Sequence, residues 1–310
     1  MPGVALMLPG QGAQAVGMGR AFYDGFQESR EIYQRAKSRL GIDIAALCFE
    51  GPAEELTKTE HCQPALFVTS VAAYAALCRA VPGLRVTGAA GLSLGELTAL
   101  TVANAMTFAD ALHVVQARAQ AMAQCAAHSR GAMLAVIGLA DAEINEMCAK
   151  AHVVAANFNA PEQVVLSGDV AGIEAAEQMA KAAGAKRAVR LEVAGAFHSP
   201  LMQPAADEFK KVLAKVSFSR PQFPVISNVT AEPVTEPEQI RETLVRQIVS
   251  PVRWDASVRW LVAHGAELFV ELPPARVLTA LLRRIDSSAK AAAIDEPAHF
   301  DKIAPQPAAS

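Results

Sequence analysis

The first candidate for chemistry is a serine held between glycines. Gly91-Leu92-Ser93-Leu94-Gly95 reads G-x-S-x-G, after an apolar run and before a helical pattern. On a tight strand-to-helix turn the Ser93 hydroxyl is pushed out of the sheet, and glycines on either side let strand and helix backbones pass closely. The helix start beyond it offers free N–H groups and the positive end of a dipole, both favourable to negative charge developing on a substrate oxygen. An ordinary turn serine fits the same five letters, so a nucleophile here needs a base.

Of the seven histidines, His198 stands apart. Gly195-Ala196-Phe197-His198-Ser199-Pro200 places it in a loop between a strand and the next helix, where clefts form and catalytic side chains are held. A structural or capping histidine fits the same position. His113, by contrast, falls on the polar face of its helix. At 100° per residue over 108–126, Ala111, Val115, Ala119 and Met122 share one face, and Arg118 falls among them. Two readings are open: an arginine that snorkels to water, or a guanidinium that grips a carboxylate inside a pocket. Gln11 follows the first strand in a Gly-rich turn. Its backbone N–H and that of Leu94 can form a two-donor oxyanion hole, although a plain turn glutamine is the alternative. Asn157 and Asn159, in A-N-F-N-A-P-E-Q, either orient a substrate or cap a turn.

The elements that must position these residues alternate. Val4–Leu8 and 87–90 read as buried strands, with helices over 64–79, from Ser93 to about 104, and over 108–126. That alternation predicts an α/β domain with a mostly parallel sheet. Between 129 and 195 the order becomes β-α-β-β-α-β, the ferredoxin-like arrangement, as an inserted subdomain. The expected division is a large α/β-hydrolase-like catalytic domain with a nucleophile elbow over 1–128 and 196–288, the subdomain over 129–195, and a disordered tail over 289–310.

Composition narrows the class. The chain has 310 residues, 52% hydrophobic and 19% charged, enough for a large core. A net charge of −3 gives no reason to expect nucleic acid. Five widely spaced cysteines form neither a C-x-x-C pair nor a zinc pattern, so no metal is expected and reduced thiols fit. The first residues lack a secretory signal, and no uninterrupted apolar stretch of membrane-spanning length is read, so a soluble cytoplasmic protein is expected.

Together the motifs resemble the malonyl-CoA:acyl-carrier-protein transacylase family along nearly the whole chain. They are L-P-G-Q-G-A-Q (8–14), G-L-S-L-G-E (91–96), Q-A-R-A-Q-A-M (116–122), A-N-F-N-A-P-E-Q-V-V-L-S-G (156–168), G-A-F-H-S-P-L-M (195–202) and R-Q-I-V-S-P-V-R-W (246–254). The resemblance implies Ser93 as nucleophile, His198 as base, Arg118 as anchor of the malonyl carboxylate, and Gln11 with Leu94 as oxyanion donors. It implies that Gln247 supports His198, with a backbone carbonyl in place of an aspartate, and that Phe197 leaves little room for a 2-methyl group. Malonyl-CoA is then the substrate and an acyl carrier protein the acceptor, with no cofactor, membrane or nucleic acid. Lys181, Lys186, Arg187 and Arg190 are candidates for docking the acidic carrier. Two departures stand out: Leu92 where the family usually has histidine, and Leu272-Pro273-Pro274 where it has G-P-G. A polyketide or malonate-decarboxylase loading enzyme, an α/β-hydrolase, or an inactive carrier-binding module are the competing expectations.

Overall fold

Alternation along the first strand sets up the whole architecture. In β1 (Val4–Leu8), Val4, Leu6 and Leu8 enter one buried cluster, while Ala5 and Met7 enter a second on the opposite face. A strand buried on both sides belongs at the centre of a helix-covered sheet. In the computed structural model, which describes residues 1–303, β1 lies between β2 (Val86–Gly91) and β9 (Leu268–Glu271), parallel to both. The six-stranded sheet has the order β10-β9-β1-β2-β7-β8. Its outer members are β7 (Val225–Ile226), β8 (Pro233–Val234) and β10 (Ala291–Ala293). Only the β7–β8 pair is antiparallel. The protein is α/β with a parallel central sheet.

The second sheet is antiparallel throughout, in the order β4-β5-β3-β6, from β3 (Gly131–Ile137), β4 (Val154–Ala160), β5 (Gln163–Asp169) and β6 (Arg187–Arg190). Helices Asp141–Ala151 and Val170–Ala182 bury Ile144, Met147, Ile173 and Ala176 against Leu134, Val136, Val164 and Leu166. A parallel bridge between Asn157 and Val252 ties this sheet to the larger unit.

Two expectations are corrected. The segment from 289 onward is ordered to 303: β10 pairs in parallel with β9, and Pro297–Lys302 forms a short 3-10 helix whose Phe300 packs against Phe22 and Phe26. The rest of the expected tail, 304–310, lies outside the described residues. The helix expected from Pro64 starts at Thr59 and runs to Ala80, with Pro64 inside it. By length and mean hydropathy alone that helix could cross a membrane, although Gln63, Thr69 and Ser70 interrupt its apolar run as expected. However, 78% of its most apolar window is buried in the protein, which makes it a core helix.

Candidate active site

β1 and β2 are neighbours in register, with Leu8 opposite Gly91, so the turns that follow them open side by side at the carboxyl end of the sheet. This is where parallel α/β sheets form their clefts. Gln11 lies in the first turn and Ser93 in the second. The glycines beside Ser93 act by their lack of a side chain: a Cβ on Gly91 would lie 1.9 Å from the Gly95 carbonyl carbon, and one on Gly95 would lie 2.1 Å from the Leu8 oxygen. The unusual backbone falls on the serine itself, at φ 54° and ψ −103°. Non-glycine residues rarely adopt such angles, and they cluster where strain serves function. Ser93 caps the Leu94–Val102 helix, and Leu94 carries its first free N–H.

His198 is 4% exposed and meets Ser93 directly, Nε2 to Oγ at 2.8 Å. Its Nδ1 lies 2.8 Å from the Gln247 carbonyl oxygen, an acceptor that fixes the proton on Nδ1 and leaves Nε2 free to accept from the serine. Burial, and then the nearby Arg118 charge, push the imidazole down to about 4 from its ordinary 6.5, so it is neutral at pH 7. No carboxylate approaches the ring among the described residues within hydrogen-bonding distance.

Arg118, on the Phe108–His128 helix, is 1% exposed, so its head does not reach water. It donates from Nη1 to Gln63 Oε1 (2.7 Å) and from Nη2 to both Ser93 Oγ and Gln247 Oε1 (2.9 Å each). Nε has no partner. Burial lowers its affinity for a proton to about 10, which still leaves it charged at neutral pH. A buried cation whose hydrogen-bond partners are all neutral is a strong attractor for an anionic group.

These side chains line one cavity of about 310 Å³, together with Gln11, Leu94, Asn157, Asn159 and Phe197. Met133 and Val165 of the smaller sheet, Leu191 and Val193 just beyond β6, and Val277 with Leu281 give it an apolar lining. Phe197 is 6% exposed, and the Asn159 Oδ1 inside the site has no partner. The Gln11 side chain turns to Thr59, Nε2 to Oγ1 at 3.3 Å. Every predicted site residue except Gln247 lines this cavity. Gln247 is completely buried behind it.

Three residues of the site carried no sequence expectation. Gln63 receives Arg118, Asn228 accepts the Ser93 N–H through Oδ1 at 2.8 Å, and Glu96 sits beneath them, 1% exposed. Asn228 also donates from Nδ2 to the Gly91 oxygen at 2.7 Å, so one side chain clamps both ends of the serine turn. The expected docking cations are mostly neutralised. Lys181 pairs with Glu177 at 2.6 Å, Arg190 with Glu177 at 2.9 Å and Lys186 with Glu162 at 3.6 Å, leaving Arg187 without an ion pair among the described residues.

A serine hydrogen-bonded to a neutral histidine in a cleft at the end of a parallel sheet is machinery for acyl chemistry through a serine ester, and the family match that follows makes this protein an acyltransferase. Residues 6–298 match the acyl transferase domain family. The malonyl CoA-acyl carrier protein transacylase of Bacillus subtilis is 39% identical over 302 residues, covering 96% of this chain and 95% of that protein. The enzyme of the same name from Escherichia coli is 42% identical over 297 residues, covering 94% and 96%. The crystal structure of an acyl-carrier-protein S-malonyltransferase from Burkholderia pseudomallei is 41% identical with a TM-score of 0.94, over 97% of this chain and 99% of that one. A malonyl-transacylase solved in complex with a type II PKS acyl-carrier protein is 38% identical with a TM-score of 0.93, over 97% and 98%. The chain belongs to the malonyl-CoA:acyl-carrier-protein transacylase family.

Proposed function

We propose that the protein moves a malonyl group from coenzyme A to the phosphopantetheine thiol of an acyl carrier protein, through a malonyl ester on Ser93. The observation that carries this reading is the Ser93 oxygen held at once by His198 Nε2 at 2.8 Å and Arg118 Nη2 at 2.9 Å. A base and a buried cation converge on one hydroxyl, as selective acylation by a carboxylate-bearing thioester requires.

The steps follow from the geometry. His198 Nε2 takes the hydroxyl proton as Ser93 Oγ bonds to the thioester carbon. The Gln11 and Leu94 N–H groups hold the oxyanion. Collapse breaks the C–S bond, and the imidazolium returns its proton to the leaving sulfur. The carrier's thiol then gives a proton to His198 and attacks the ester, and Ser93 Oγ leaves with that proton. The unpartnered Nε and the fork of Arg118 hold the malonyl carboxylate meanwhile, which fixes the acyl group and selects it over acetyl. Phe197 narrows the space beside the 2-carbon. Asn157 and Asn159 border the path of the pantetheine arm.

In this reading the turn at Ser93 serves as a nucleophile elbow, with 1–128 and 196–288 as the hydrolase-like catalytic domain. The unit over 129–195 is ferredoxin-like, a description supported by its strand order of β4-β5-β3-β6 with two helices on one face. A cytoplasmic location accompanies it, in keeping with five unpaired cysteines. A hydrolase triad is not favoured, because the His198 Nδ1 faces a backbone carbonyl. The test is incubation with malonyl-CoA and a phosphopantetheinylated acyl carrier protein, followed by mass analysis of the carrier. Malonyl-carrier formation supports the proposal, whereas release of free malonate with an unmodified carrier refutes it.

A further inference from the structure

Glu96 is a buried carboxylate in the middle of the site that no step above uses. Its Oε2 accepts from Gln247 Nε2 at 2.6 Å and from the Asn228 N–H at 3.1 Å, while Oε1 has no partner. Gln247 Nε2 also donates to the Ser93 carbonyl at 3.0 Å. The opposite end of the same amide, Oε1, accepts from Arg118 Nη2 at 2.9 Å. Arg118 offers only donors and an ionised carboxylate only acceptors, so the Gln247 amide has one orientation that satisfies both.

The interposed amide has a chemical consequence. A carboxylate in direct contact with Arg118 would occupy its fork bidentately and compete with an incoming acid. An amide oxygen aligns one Nη2 hydrogen and leaves the guanidinium's charge unpaired. Glu96 therefore supplies order to Arg118 without supplying a competing anion. We infer that Glu96 is a positioning residue: by locking the Gln247 side-chain amide it aims the Arg118 guanidinium into the acyl cavity and so sets the preference for carboxylate-bearing acyl thioesters. This rests on the anchor role of Arg118 proposed above.

Burial raises Glu96 to about 7, with the Asn228 and Gln247 hydrogen bonds and then the Arg118 charge opposing that rise. The experiment is therefore run in buffer well above that value, where the carboxylate is ionised. Rates of acyl-enzyme formation with malonyl-CoA and with acetyl-CoA are compared for the wild type, Glu96→Gln, Glu96→Asp and Arg118→Ala, with melting temperatures as a folding control. Glu96→Gln keeps an acceptor at the same reach, and its malonyl-to-acetyl ratio is expected within about threefold of the wild type. Glu96→Asp keeps the charge but withdraws the acceptor by one methylene. Its ratio is expected to fall about tenfold, mostly through the malonyl rate.

An unchanged ratio in Glu96→Asp, or equal loss toward both acyl groups, overturns the inference if Arg118→Ala still collapses the ratio. A collapsed ratio in Glu96→Gln overturns it independently, because charge rather than acceptor position would then be in control. If Arg118→Ala leaves the ratio untouched, the anchor reading falls first and this inference falls with it.

Discussion

Replacing Arg118 by alanine separates the carboxylate anchor from the rest of the machinery. The side chain is buried and makes three hydrogen bonds, to Gln63, Ser93 and Gln247. Its removal strands the Gln63 and Gln247 oxygens, and a buried unpaired acceptor costs about 1–3 kcal/mol. Two effects offset part of that. The guanidinium's own burial, which draws its proton affinity down to about 10, is relieved, and water can enter from the adjoining cavity of about 310 Å³. The variant should therefore fold, with a modest loss of stability.

The effect on chemistry is selective. Charge-assisted hydrogen bonds to the malonyl carboxylate contribute about 1.5–3 kcal/mol, so kcat/KM for malonyl-CoA should drop by about one to two powers of ten. Acetyl-CoA has no carboxylate to lose, and the Ser93–His198 pair remains. Its kcat/KM should change by less than about threefold. The assay is coenzyme A release in the presence of acceptor, measured with each substrate on the same preparations. Equal losses toward malonyl-CoA and acetyl-CoA would rule out the anchor role, since Arg118 would then serve the serine rather than the substrate.

Four further outcomes follow from the same geometry. Because His198 is pushed down to about 4, kcat/KM for acetyl-CoA should hold as pH falls from 7 and decline only near that value, and Arg118→Ala should move the decline upward. An acid limb near the ordinary histidine value in the wild type would contradict this. In stability terms the same depressed histidine makes the unfolded chain bind the extra proton between about 4 and 6.5, so its contribution is lost as pH falls through that window. Gly95→Ala would set a Cβ 2.1 Å from the Leu8 oxygen, a backbone clash costing about 3 kcal/mol. Gly25→Ala, whose Cβ would meet only the Pro297 Cγ at 3.8 Å, should be nearly neutral, and thermal melting compares the two. Phe197→Ala should open the buried cavity wall beside His198 and raise the rate with methylmalonyl-CoA relative to malonyl-CoA. An unchanged ratio in competition assays would remove Phe197 from selectivity.

What could be read from the sequence was whatever local pattern determines. The apolar run at Val4–Leu8, the glycines around Ser93 and the arginine on an apolar helix face each announce a conflict or a constraint within a few residues. The hidden parts depend on distant partners. Glu96 lies in a helix's first turn, an ordinary place for an acid facing water and the dipole. Only its burial beneath Gln247 and Asn228 marks it as unusual. Gln63 directly precedes Pro64, a residue that favours the first turn of a helix, whereas the Thr59–Ala80 helix carries Pro64 internally and Gln63 with it. Asn228 follows a strand only two residues long, and the polar Ser227-Asn228 pair directly after it was the available signal. The three alanines of β10 have little strand propensity, and their pairing with β9 is decided by the sheet that is already there.

A malonyl ester on Ser93 underlies every step of the proposed transfer. Mass measurement of the intact protein after malonyl-CoA treatment, beside Ser93→Ala, tests it directly. The wild type is expected to gain one malonyl group and the variant none, with a weaker adduct from acetyl-CoA. A malonyl adduct that survives in Ser93→Ala, or coenzyme A release without any adduct on the wild type, would contradict it.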